Sequence, residues 1–122
     1  MQNLVRSLAI GRIVFGAGML LSPELAARGW IGSAASHSGT QTITQAFGAR
    51  DLVLGAGTLA ALGRGDAKDW VAAGGFSDVV DFVATMRADD IPTAGRVLVG
   101  ALAGSAIAIS AAWLASGSEQ ST

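Results

Sequence analysis

Cysteine and tyrosine are absent from this 122-residue chain, proline occurs twice, histidine once, and only 14% of the residues are charged. Without cysteine there are no disulfides, no thiolate metal ligands and no cysteine nucleophile. The lone histidine, His37, sits in the polar stretch "IGSAASHSGTQT" with no second ligand nearby, so it reads as a solvated loop residue. Neither metal nor cofactor is expected. A net charge of −1 offers no basic face to nucleic acid. "GAGTLAALG" lacks the Gly-Lys-Ser/Thr ending and the preceding strand of a phosphate loop. With little but carboxylates to supply chemistry, an enzyme is the least favoured class.

What remains is apolar and small. Hydrophobic residues make up 51% of the chain, there are 17 glycines, and the aromatic share is 6%. Mean hydropathy is +0.50. An ordinary soluble domain carries about 25% charged residues and fills its core with large side chains. This mixture suits close helix–helix contact in lipid better. The length allows one domain, taken as residues 1–122. The opening "MQNLVRSLAIGRIVFGAGMLLSPELAA" has the order of a signal peptide, but Arg12 interrupts its apolar region, so a retained first helix is expected.

The all-α reading has four spans, near 3–22, 40–63, 70–87 and 92–116. The last is the clearest, because residues 97–118 carry no charge. That run covers about 33 Å at 1.5 Å per residue, against a bilayer core of about 30 Å. Asp89 or Asp90 is expected to cap it, and Trp113 to sit at an interface. The other three segments contain charges but are otherwise apolar nearly all round, which marks a helix surrounded by apolar material. "SPELAARGW" predicts a short interfacial helix, capped by Ser22, opened by Pro23 and closed by Gly29. "GRGDAKD" at 63–69 is a tight turn that makes the second and third spans antiparallel neighbours. "SGSEQST" is a polar tail. Arg6, Arg64 and Lys68 on one side against Arg28, Arg87 and Arg96 on the other leave membrane orientation undetermined.

The informative residues are the charges within the spans. Folding the second and third spans about residue 66 puts side chains at equal depth when their numbers sum to about 133, a spacing set by helix rise. Arg50 then lies within a turn of Asp81. Gln41, Thr44, Gly48, Asp51, Gly55 and Thr58 form one small or polar stripe; Trp70, Gly74, Ser77, Asp78, Asp81 and Thr85 form another. Arg12 is midway along the first span, too deep to snorkel easily, with Leu8, Phe15 and Met19 on its side. Each such charge costs about 2.5–3.5 kcal/mol at the bilayer centre. Five unpaired charges would cost about 12–17 kcal/mol, comparable with the whole stability of a domain, about 5–15 kcal/mol. Arg12, Arg50, Asp51, Asp78 and Asp81 must therefore meet inside, line water, or shed a charge by protonation. Two positive charges face three negative ones, and Arg6 would balance the count. Gly48, Gly55, Gly74, Gly100 and Gly104 are the expected helix-packing positions, the last two as a GxxxG that serves either a homodimer seam or a contact within the bundle.

The segment "FGARDLVLGAGTLAAL" resembles a signature of small four-helix bacterial membrane proteins of unknown function. In that group a Gly-x-Arg-Asp-Leu-x-Leu-Gly run opens the second span, matched here by Gly48, Arg50, Asp51, Leu52, Leu54 and Gly55. The alanine- and glycine-rich composition looks actinobacterial. The resemblance implies an integral membrane protein of the bacterial cell membrane and implies no chemistry.

The function expected is that of a non-enzymatic binding or accessory component. Its partners would be the lipid bilayer, a second copy or a larger membrane complex, with a lipid or small molecule in a polar cavity. The alternative is a small proton-coupled transporter or ion-handling protein using Asp78 and Asp81.

Overall fold

The computed structural model describes residues 1–117; residues 118–122, most of the expected polar tail, lie outside the described residues. The described residues are helical, with no strand among them: α1 (Gln2–Leu21), α2 (Pro23–Ile31), a 3-10 helix (Gly32–Ser36), α3 (Ser38–Arg64), α4 (Lys68–Arg87) and α5 (Thr93–Ser116). Two of these, α1 and α5, are long and apolar enough to cross a membrane.

Local chemistry sets most of the boundaries. Pro23 opens α2, where its missing N–H is no loss. Ser22 makes no side-chain cap, and α2 runs past Gly29 to end at Gly32, whose φ of 70° suits a residue without Cβ. Gly65 ends α3 in the left-handed conformation, and the Asp66 N–H donates to the Ala61 carbonyl, closing a Schellman turn. Pro92, with no aspartate cap, precedes α5. The loop before it is secured by Arg96, whose guanidinium donates to the carbonyls of Met86 and Ala88 at the end of α4 and of Ile91 in the loop. A cation there complements the negative end of the helix dipole.

The long helices alternate in direction and pack as two antiparallel pairs, α1 with α3 and α4 with α5. In the first pair the backbones touch. A Cβ on Gly48 would stand 2.7 Å from the Gly16 carbonyl, and one on Gly55 would stand 2.5 Å from the Ala9 carbonyl. Gly16 is thus a contact residue that the sequence pattern did not single out. In the second pair Gly75 of α4 meets Ser110 of α5, and Gly100 of α5 meets Met86 and Phe82 of α4. Of the GxxxG pair, Gly100 makes a contact within the bundle, with Met86, whereas a Cβ on Gly104 would have nothing within 4 Å. The turn at 63–69 does make α3 and α4 antiparallel, yet their backbones stay apart. Trp70 lies over Gly57 between them, and α3 finds its main neighbour in α1.

A small apolar core of Val5, Ala61, Leu62, Ala67, Val71 and Trp113 closes the end of the molecule near the α3–α4 turn. Trp113, expected at an interface, is 2% exposed and belongs to this core. Elsewhere the usual distribution is reversed. Leu21, Val14, Ile43, Phe76, Val97 and Leu102 are 60–84% exposed, while Arg12, Asp51, Asp78, Thr58 and Thr85 are buried.

The α1–α3 contact leads to a direct expectation. Gly55→Ala will force the two backbones apart and lower stability by about 1–3 kcal/mol, the usual range for overpacking. Gly104→Ala, with nothing within 4 Å of its Cβ, will be neutral or stabilising by about 0.5–1 kcal/mol. Thermal unfolding of the two purified variants beside the parent protein measures both.

Candidate functional site

The buried charges meet where the two helix pairs face each other. Arg12 on α1 reaches across to α4 and binds Asp78 with both ends of its fork, at 3.0 Å from Nη1 to Oδ1 and 2.5 Å from Nη2 to Oδ2. Both side chains are 9% exposed. Gly74, one turn before Asp78, makes room for this crossing: a Cβ there would stand 2.9 Å from Arg12 Nη2. The expected packing role of Gly74 is thus to seat a guanidinium rather than a helix backbone. Bidentate geometry of this kind is the strongest arrangement open to an arginine and a carboxylate.

Arg50 on α3 repeats the motif one turn away. It donates to Asp81 on α4 at 3.3 and 2.8 Å, and its Nη2 also donates to Oδ1 of its sequence neighbour Asp51 at 3.2 Å. The guanidinium lies over the Phe47 ring, 3.9 Å from the centroid, in a cation–π contact. Arg50 Nε is buried and has no acceptor. Phe47 in turn meets Trp30 of α2 edge to face at 5.2 Å. Trp30 Nε1 donates to Thr85 Oγ1 at 3.0 Å, which ties α2 to α4. The backbone of Trp30 rests directly on Gly95 of α5. The helix expected to lie at an interface is anchored in the bundle by this tryptophan.

The five charges proposed from the sequence form two hydrogen-bonded sets, Arg12 with Asp78 and Arg50 with Asp81 and Asp51, and Arg50 does come level with Asp81. Arg6, which would have balanced the count, is exposed and takes no part. The cluster stays at two guanidinium groups and three carboxylates. The two arginines differ in what they leave over. Both oxygens of Asp78 and both of Asp81 accept from a guanidinium, whereas Asp51 is engaged through Oδ1 alone.

The network forms the floor of a cavity of about 600 Å³, a typical volume for a small-molecule site. Arg12, Asp51, Asp78 and Asp81 line its base. Its flanks are Leu8, Val14 and Phe15 of α1 and Val99, Leu102 and Ala106 of α5. Trp30 and Phe47 close the end nearer α2. The exposed lining residues, Ser7, Gly11, Val14, Phe15 and Leu102, all belong to α1 and α5. The mouth is therefore a lateral slot between these two helices, which touch each other little. The sequence pattern led to a polar cavity at the charges but not to its lateral opening between α1 and α5, because the apolar residues that line it look like any other outward-facing ones.

No protein-family model matches the chain, and no curated protein or solved structure is significantly similar to it.

Breaking the deeper pair separates structural from dispensable charge. Asp78→Asn leaves the Arg12 guanidinium buried without a counter-charge and will cost about 3–5 kcal/mol. Arg12→Met combined with Asp78→Leu removes both charges and will recover most of that loss. Asp81→Asn will cost less, about 1–3 kcal/mol, because Arg50 keeps Asp51. Denaturation midpoints for these variants, together with Arg12→Met and Asp78→Leu each alone, close the double-mutant cycle for the deeper pair.

Proposed function

We propose that this chain is a four-span integral membrane protein of the bacterial cell membrane that binds an amphiphilic molecule in the slot between α1 and α5, without carrying out chemistry on it. Several features support a membrane setting. The four long helices have 20, 27, 20 and 24 residues, so each extends about 30 Å or more at 1.5 Å per residue. Large apolar side chains on all four point outward, including Leu4, Ile43, Val53, Phe76, Val79 and Val97. In water these side chains would expose apolar surface on every long helix; in lipid it is the solvated face. Pairing of the inner charges answers the cost that hydrocarbon imposes on them. The likeness of "GARDLVLG" to the signature of small bacterial membrane proteins points the same way.

The observation that carries the binding reading is the cavity itself: about 600 Å³, apolar on its flanks, charged at its base and open sideways. Such a slot accepts a molecule arriving from the acyl-chain region with its tail along α1 and α5 and its head on the floor. An accessory role beside a larger membrane complex is compatible with the same site. The proton-coupled alternative asks Asp78 and Asp81 to exchange protons freely, and it fits less well with carboxylates that already have both oxygens engaged.

Two measurements test this reading. The chain will stay with membranes through alkaline carbonate extraction. Purified in mild detergent, it will carry an amphiphile visible by native mass spectrometry. Gly11→Phe places a ring at the mouth from a Cβ position with nothing within 4 Å, so the fold will be retained while occupancy falls at least tenfold. Full release by carbonate, or a parent protein as empty as Gly11→Phe, overturns the reading.

A further inference from the structure

We infer that the slot selects amphiphiles whose head bears a single positive charge and hydrogen-bond donors, an alkylammonium or alkylguanidinium being the simplest case, with Asp51 as its anchor. This deepens the binding role proposed above and rests on it. The argument starts from charge. With all three carboxylates ionised, two guanidinium groups leave the floor with one uncompensated negative charge, and Arg6, which is exposed, takes no part in it. A buried charge without a partner is strongly unfavourable, whereas one completed by an incoming cation is not.

Geometry places the deficit. Of the six carboxylate oxygens in the network, four belong to Asp78 and Asp81 and all accept from a guanidinium. Asp51 accepts only at Oδ1, and the donor, Arg50 Nη2, is shared with Asp81. Asp51 lines the cavity, and its side chain is 8% exposed. Its Oδ2 is the acceptor left for a newcomer. Arg50 is not among the residues that line the cavity; Phe47, under its guanidinium, is. An entering head group thus meets three carboxylates and one guanidinium, Arg12, whose fork is already taken by Asp78.

The remaining features fix the class further. Among the described residues, no three His, Cys, Asp or Glu side chains are grouped so as to hold a metal ion, which favours an organic cation that hydrogen-bonds over an inorganic ion. Trp30, at the closed end, offers an indole beside which a cation is stabilised. The apolar flanks require a hydrocarbon tail. A fatty acid or a phosphate-headed lipid would bring a second negative charge to a floor that already has one too many.

Decylamine, decanol and decanoic acid at neutral pH are all ten-carbon chains and differ in the head, positive, neutral and negative. The probe is the full-length protein in dodecyl maltoside micelles, followed by its thermal unfolding midpoint and by tryptophan fluorescence. Decylamine will bind at least tenfold more tightly than decanol, and decanoic acid will bind weakest. Asp51→Asn will remove the preference for the amine, bringing it to within about twofold of decanol, and Asp51→Glu will keep it. Equal binding of amine and alcohol by the parent protein, or preference for the acid, overturns the charge selectivity while leaving the slot a binding site. A preference that survives in folded Asp51→Asn overturns the assignment to Asp51. Binding of none of the three overturns the slot itself. If Asp51→Asn does not fold, the parent protein's ranking of the three heads still decides.

Discussion

An arginine withdrawn from water has to meet a carboxylate, and most of this architecture follows from where two such meetings occur. Arg12 and Arg50 stand on the two helices of one packed pair, and Asp78 and Asp81 stand on one helix of the other. Backbone contact holds α1 to α3, side chains packed on Gly75 and Gly100 hold α4 to α5, and guanidinium forks hold the pairs to each other. Because the forks span the gap, the pairs need not close upon one another. The volume left beside them, on the side where α1 and α5 hardly touch, is the cavity.

Glycine serves opposite ends in this arrangement. At Gly16, Gly48 and Gly55 the missing Cβ brings two backbones into contact, whereas at Gly74 it leaves room for a charged side chain to cross from one pair to the other. The same economy of side-chain volume explains the reversed distribution of residue types. Inside are Arg12, Thr44, Asp51, Thr58 and Asp78 with many small residues; outside are valine, leucine, isoleucine and phenylalanine. Aromatic residues close the two ends in different ways. Trp113 fills the apolar core near the α3–α4 turn, and Trp30, hydrogen-bonded to Thr85, walls the opposite end of the slot.

Much of the inner stripe is legible without coordinates. Thr44, Gly48, Asp51, Gly55 and Thr58 share a face because a helix repeats every 3.6 residues, and those five are buried. The register of Arg50 against Asp81 follows from helix rise and one tight turn, both local properties. At other positions the deciding contact lies far along the chain. Gly100 and Gly104 share a motif that often packs helices, yet of the two only Gly100 has a neighbour on α4, Met86 and Phe82, and nothing in the segment itself separates them. Trp113 has the position of an interfacial residue, but Val5, Leu62 and Val71 arrive from three other helices to cover it.

The sequence by itself determined that the chain is helical, where its helices begin and end to within a few residues, and that Arg12, Arg50, Asp51, Asp78 and Asp81 had to be reckoned with together. Periodicity, capping residues and the cost of burying charge are all readable one segment at a time. Only the tertiary structure decided which arginine takes which aspartate, that α3 leans on α1 rather than α4, and that a void remains between α1 and α5. Those outcomes depend on how surfaces distant in sequence fit one another, and the shape of an unfilled space is written in no single segment.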